Sequence, residues 1–400
     1  MLSNTLFDTL TPLPLLLANG KNVVTHKNEL LLCGGQEDKS CYSYNVLRNE
    51  YKLICSYPRN IMLYDHCVVK YNNKDSDTIT LLSFGGYYNH TLIMNYVSVW
   101  DDENDEKKIE NKWLPLFDNK KNKICIKKEN NESDYYKLNA VINENNNNLL
   151  FITYSPKNID IFNLDTFEYI KRDILPIEKI YTNNNLVSKN IMKSIDNNNK
   201  NEMFLFYEKG GLLIEYDEIN NIFKYQFLQF CTTIRSFTSY SCIYIDNFIL
   251  FFGGHNYGYI TNIIHRYSIN EKKWTQLEKI LPYPLRDGIT ILNEETEYLH
   301  ILGGLDEDYN IMSTHIKTNI KEWIKLETEK EKRWIIEEQE KIKIEEIRKE
   351  LEDMGESIST KKIKKKKEIE MILEYWHRSL SIKMNWNNIF SDMISGYILV

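Results

Sequence analysis

Four apolar runs in this chain end in paired glycines: ELLLCGG (29–35), TLLSFGG (80–86), FILFFGG (248–254) and YLHILGG (298–304). Gly35 and Gly86 are 51 residues apart, and Gly254 and Gly304 are 50 apart. The 168 residues from Gly86 to Gly254 make three steps of 56, leaving room for two further units that lack the pair. An unbroken apolar run suits an inner strand packed on both faces. A glycine pair at its end marks an abrupt turn near a ring axis, where positive φ or close backbone approach is needed. A period near ~50 predicts repeated blades in one ring, not a string of independent domains.

A second period lies on the strands after the glycines. Aromatic or aliphatic residues recur seven apart at Tyr44/Tyr51, Phe162/Tyr169, Tyr216/Phe223, Tyr267/Trp274 and Ile316/Trp323. Turn formers lie between them, so each step reads as a tight hairpin returning both side chains to one face. In the second unit the matching residues are Val99 and Trp113, with the acidic insertion 101–110 lengthening the hairpin. Prolines at 14, 58, 176, 282 and 284 mark the links between units.

The recurring order of apolar strand, Gly-Gly, Tyr, seven-residue step, Trp and Pro resembles the kelch repeat over residues 5–326. Units five and six match best. Units three and four depart, reading FITYS and FLFYEKGG where the pair should follow the strand directly. The resemblance implies an all-β, six-bladed kelch-type β-propeller whose repeated Gly, Tyr and Trp residues are scaffold. The segment FDTLTPLP (7–14) resembles a fourth strand plus link, so the N-terminus is expected to pair with blade six. KEWIKL (321–326) fits the same slot by its spacing.

Residues 327–400 form a second region. Positions 327–351 are densely charged, with Glu-to-Lys/Arg pairs four apart at Glu329/Arg333, Glu337/Lys341 and Glu345/Lys349, which favours helix. Ile344, Ile347, Leu351 and Met354 give a short apolar seam, Gly355 a C-cap, and Ser359 or Thr360 an N-cap for a second helix. The expectation is a C-terminal helical hairpin. The second helix would carry an aromatic stripe including Trp376, Trp386 and Phe390, of a kind seldom left in water. The lysines at 361–367 admit three readings: a solvated helix start, nuclear import, or contact with anionic lipid or nucleic acid.

Composition adds a compartment. The chain is 42% apolar with 27 Tyr and 16 Phe, enough for one large core of strand formers. Net charge is −7, which argues against non-specific nucleic-acid binding, and no ~18-residue apolar run predicts a membrane span. Seven unpaired-looking cysteines and a leader without a basic n-region predict a cytoplasmic protein, with nuclear import through the lysine run as the variant.

No phosphate loop, nucleophile elbow or metal-type histidine spacing occurs, so the expectation is no catalytic residue, no cofactor and no metal. The polar residues after the glycine pairs and before the first strands converge on one propeller face, where ligand sites form. The partner-binding candidates there are Tyr87, Tyr88, His90, Arg235, His255, Tyr257, Arg286, Asp306 and Tyr309, since Tyr and Arg are enriched at binding hot spots. Trp376, Trp386 and Phe390 join them from the tail. The expected function is a non-enzymatic scaffold holding a protein or peptide partner, with self-association through the helices as an added contact. The alternative, implied by one branch of kelch-like propellers, is a carbohydrate- or small-molecule-directed oxidase. It needs Tyr, His and Cys ligands converging on the face, and His and Cys positions here do not form that set.

Overall fold

The structure, a computed structural model, describes residues 6–353 except 19–20, 36–37, 72–78, 87–88, 101–109, 127–137, 143–148, 178–184, 189–199, 208–209 and 257. Beyond 353 it describes Glu374 alone. The chain divides into two units, Met1–Leu326 and Glu327–Val400.

Among the described residues the first unit holds six four-stranded antiparallel sheets, the blades of a β-propeller. Blade one is Val23–His26, Glu29–Cys33, Ser40–Asn45 and Glu50–Ser56. Blade two runs from His66–Tyr71 through Ile79–Gly85 and His90–Tyr96 to Leu114–Pro115. Blades three and four begin at Asn139–Ile142 and Asn185–Ser188 and end at Glu168–Ile174 and Ile222–Leu228. In blade five, Ser241–Ile245 and Phe248–Phe252 are followed by a small hairpin, His255–Asn256 with Tyr259–Ile260, before Ile263–Ser268 and Lys273–Ile280. Blade six has Ile289–Asn293, Tyr298–Leu302 and His315–Asn319. Its fourth strand comes from the start of the chain: Asp8 pairs with Lys317 and Thr9 with Ile316.

The first strand of each blade neighbours the first strand of the next, from blade one round to blade six and back to blade one. First strands therefore surround the axis. The glycine-terminated strands, expected innermost, are second from it, packed between first and third strands within each sheet. They are still buried on both faces: Leu30, Leu31, Leu32 and Cys33 are fully buried. A second strand in a layered ring is as enclosed as a central parallel strand, which explains the unbroken apolar run.

The two glycines of a pair have separate duties. The first receives the link to the next blade: Gly253 abuts the Leu285 carbonyl and Gly303 that of Leu17. The second abuts the segment leading into its own blade; a Cβ at Gly304 would stand 2.7 Å from the Arg286 carbonyl oxygen. Gly254 N–H donates to Leu285 O at 2.8 Å and Gly304 N–H to Leu17 O at 2.8 Å. In blade four the pair Gly210–Gly211 instead opens the third strand.

Four of the five seven-residue steps are cross-strand partners: Tyr44 with Tyr51, Phe162 with Tyr169, Tyr216 with Phe223 and Tyr267 with Trp274. Their ring centroids lie 4.8–5.0 Å apart, a contact worth about 0.5–1.5 kcal/mol beyond burial. The turn fixes the spacing. Asn45, Asn163 and Asp217 accept hydrogen bonds from the backbone N–H groups two and three residues on. A left-handed residue then reverses the chain, at Asn49, Phe167, Asn221 and Lys272, two residues before the fourth-strand aromatic.

The fifth step fails. Asn319 caps a single 3-10 turn, Ile320–Glu322, instead of a hairpin, and Ile316 already faces Thr9. Trp323 is 1% exposed, its ring 5.7 Å from that of Phe7 and its Nε1–H donating to Thr318 Oγ1 at 3.2 Å. It packs like a fourth-strand aromatic without belonging to a strand. Val99 is likewise off the ladder, since the third strand of blade two ends at Tyr96. Trp113 stacks on Tyr57 from blade one, with ring centroids 4.7 Å apart.

In the second unit the helix is Glu329–Asp353. A capping box starts it: Glu331 N–H donates to Thr328 Oγ1 at 3.2 Å and Thr328 N–H to Glu331 Oε2 at 3.0 Å. Glu329 pairs with Lys332 at 2.8 Å, while Arg333 Nε–H donates to the Glu329 carbonyl at 3.3 Å, which displaces the expected Glu329/Arg333 ion pair. The expected second helix, with Trp376, Trp386, Phe390 and the lysines at 361–367, lies outside the described residues. Among the described residues no helix is long and apolar enough to cross a membrane.

Candidate functional site

The loops after the glycine pairs and the segments leading into the first strands meet through backbone bridges. Arg286, entering blade six, exchanges backbone hydrogen bonds with Leu305, which follows the glycine pair of the same blade. Thr238, entering blade five, does the same with His255. These ladders turn two loop sets into one rim, and three candidate side chains come together on it.

The Arg286 guanidinium carbon lies 5.0 Å from the centre of the Tyr309 ring, and the same ring meets His255 edge-on at 6.3 Å. Arg286 Nε also pairs with Asp287 Oδ2 at 2.9 Å, and the Asp287 side chain is only 1% exposed. The guanidinium is thus clamped between a buried carboxylate and an aromatic face, while Tyr309 is 53% exposed. Such a geometry offers a rigid, amphipathic contact of the kind enriched at interfaces. Burial, and secondarily the Arg286 charge, hold the His255 imidazole below its ordinary range, with Asp287 opposing.

Asp306 has a different role. Its Oδ1 accepts from the N–H groups of Asp308 at 3.0 Å and Asn310 at 2.9 Å, and Tyr309 sits at φ 63° within that turn. The carboxylate builds the loop that presents Tyr309. Next to the cluster, Tyr259 of the small hairpin is 57% exposed with its ring 6.3 Å from Phe237. Arg235 is exposed in the turn between blades four and five. Tyr87, Tyr88 and Tyr257 lie outside the described residues.

His90 is not on the rim. It opens the third strand of blade two, 7% exposed, with its Nε2 2.7 Å from Ser83 Oγ, which also accepts from the Tyr57 hydroxyl at 2.9 Å. Burial and the neighbouring His66 push its pKa down to about 3. Its neighbour His66 is strand and 4% exposed, its Nε2 2.9 Å from the Cys33 carbonyl. His66 follows the link into blade two and His90 follows the loop after the glycine pair, and both are claimed by pairing with Gly85 of the second strand. His265, His300 and His315 stand on strands, with His300 Nδ1 2.8 Å from His315 Nε2.

Two residues escaped the sequence reading. Phe237 carries no signal beyond its aromaticity. Lys21 leads into the first strand of blade one, forms a bridge with Cys67 of blade two, and lies near Cys242 and Asp287. Those neighbours belong to blades two, five and six, so the ammonium lies toward the axis, and burial there lowers its pKa. Residue 21 directly after Gly20, at the start of a first strand, was the only available hint.

Six blades of four strands closed by the N-terminal strand, with a rim of bridged loops around the axis, define a six-bladed β-propeller. No known family's sequence model matches the chain, and no curated protein sequence matches it. Among solved structures the chain is similar to that of YjhT, with a TM-score of 0.52 at 11% identity, covering 78% of this chain and 97% of YjhT. That likeness concerns the fold.

Proposed function

We propose that this propeller is a non-enzymatic scaffold of the kelch-like kind that holds a protein or peptide partner on the rim around Arg286, Tyr309 and His255. The supporting observation is the Arg286–Tyr309 stack, pinned from below by buried Asp287 and presented by the Asp306 turn. A rigid aromatic with a polar tip gives up little conformational entropy on contact, which is what a binding anchor requires. In this reading the tail, through Trp376, Trp386 and Phe390, supplies a second contact with a partner or another copy.

The test is affinity capture from native lysate with the full chain, a Tyr309→Ala, His255→Ala variant, and residues 1–326. The rim variant should lose the captured partner while its thermal melting stays unchanged. Retention by the rim variant together with loss on truncation would place binding on the tail alone and reject the rim.

A further inference from the structure

Three cysteines form a row across blade one. Cys33 is the Cα partner of Cys41, and Cys41 is the partner of Cys55, so three adjacent strands place thiols side by side. Cys33 and Cys41 are fully buried, and Cys55 is partly exposed. The row faces blade two, where Trp113 Nε1–H donates to Cys41 Sγ at 3.3 Å and Cys55 Sγ lies 3.7 Å from Met94 Sδ.

The ladder distinguishes the two pairs. Cys33 N–H donates to Asn22 O at 2.9 Å, toward the first strand, and the bonded neighbours across the second and third strands are Gly34 and Ser40 at 3.2 Å. Cys33 and Cys41 therefore form a non-hydrogen-bonded antiparallel pair, the kind with side chains closest, about 4.5 Å between Cα atoms. A disulfide accepts Cα separations of about 4.4–6.8 Å. Cys41 and Cys55 lie two residues on from the bonded Lys39–Tyr57 contact at 2.8 Å, which makes them a hydrogen-bonded pair with side chains farther apart.

We propose that this row is a peroxide-responsive thiol relay in which oxidation at Cys55 ends as a Cys33–Cys41 disulfide inside blade one. The Cys55 sulfur attacks hydrogen peroxide; an S–O bond forms, the O–O bond breaks, and water leaves with a sulfenic acid behind. The Cys41 sulfur then attacks Cys55; an S–S bond forms, the S–O bond breaks, and hydroxide takes the Cys41 proton to leave as water. Finally the Cys33 sulfur attacks Cys41, forming the Cys33–Cys41 bond and releasing Cys55, which takes the Cys33 proton. In sum, two thiols and one peroxide give one disulfide and two waters. Neighbouring thiols and burial hold Cys41 and Cys55 protonated, so the relay is slow and its end product is the informative readout.

The experiment treats the folded full-length protein with hydrogen peroxide, blocks remaining thiols, and maps peptides by mass spectrometry without reduction. The expected result is a Cys33–Cys41 cross-link and a thiol count lower by two. A Cys33→Ser variant should halt at a Cys41–Cys55 cross-link, and Cys55→Ser should slow Cys33–Cys41 formation at least tenfold without changing its melting temperature. Absence of the Cys33–Cys41 cross-link in wild-type protein that stays folded overturns the proposal. So does a cross-linking rate equal to the global unfolding rate measured by hydrogen exchange, because the disulfide would then form in the unfolded chain.

Discussion

Arg286 reaches over the exposed ring of Tyr309 while its Nε holds the buried Asp287 carboxylate, so one cation joins a surface aromatic to the interior of the rim. The consequence is that changing Tyr309 and changing Arg286 should have different costs. Tyr309→Ala removes exposed area and should leave stability within about 0.5 kcal/mol. Arg286→Ala strips a partner from a buried carboxylate and should cost about 3 kcal/mol or more, by the logic of broken buried pairs. Urea midpoints for the two variants check this, and equal losses would mean that Asp287 does not depend on the guanidinium.

Stability should fall as the solution is acidified below the ordinary histidine range. Burial lowers His66 to about 4, His90, His265 and His300 to about 3, and His315 to about 2, with His66, Lys317 and His300 adding charge repulsion at some of them. These folded-state values are depressed below ~6.5, so the unfolded chain binds more protons below that pH. Their contribution is complete above pH 7 and is lost as pH falls from ~6.5 toward the folded values. Each contributes a slope of about 1.4 kcal/mol per pH unit in that window. Denaturation free energies at pH 7.5, 6 and 5 should drop progressively more steeply; a flat profile would show that these imidazoles are not held neutral.

The glycine pairs give a steric prediction with its own control. Gly253 has φ 66° and a Cβ there would run into the Leu285 carbonyl, whereas Gly258 has φ 91° with no atom within 4 Å of a Cβ. Gly258→Ala reports backbone strain alone, of order 1–3 kcal/mol. Gly253→Ala adds the displaced link to blade six and should melt lower than Gly258→Ala. The reverse order would mean that the link yields without cost.

Ring closure can be tested by shortening the chain. Removing residues 1–10 deletes the Asp8 and Thr9 pairing, the Leu10 N–H bond to His315 O at 2.8 Å, and the Phe7 ring against Trp323. Losing the partial burial of Leu6, Phe7 and Leu10 costs about 3 kcal/mol or more, and the melting temperature should fall by about 4 °C or more. An unchanged melt would mean that 321–326 moves into the vacated slot.

Much of the ring was legible because its period is imposed by backbone chemistry. The glycine pairs are legible since no other residue tolerates a neighbouring blade's carbonyl at Gly253 and Gly303. The aromatic steps are legible since an Asx turn followed by one left-handed residue fixes the count, as at Asn45 and Asn49. Trp323 misled because a local spacing of seven cannot reveal that Thr9, more than three hundred residues away, already faces Ile316. The layer order misled for a related reason: enclosure by flanking strands gives the same apolar run as a place beside the axis. On the rim, residue type was legible at Arg286 and Tyr309, but the partition of roles was not. Asp306 and His90 are equally polar in sequence, and only three-dimensional neighbours turn one into a loop builder and the other into a buried partner of Ser83.

The Phe7 and Trp323 rings, 5.7 Å apart, bring the two ends of the first unit to the same spot. A ring whose ends touch has no obligatory first blade. Joining the region of Leu326 to Leu6 by a short linker, and opening the chain at Ile219, which is 80% exposed in a turn of blade four, would give a circular permutant of residues 6–326. Blade six would then be built from one continuous stretch, while blade four would be sewn together from both new ends. The seam of this propeller is thus a matter of where the ring is opened, and it can be moved while the six sheets keep their strand order.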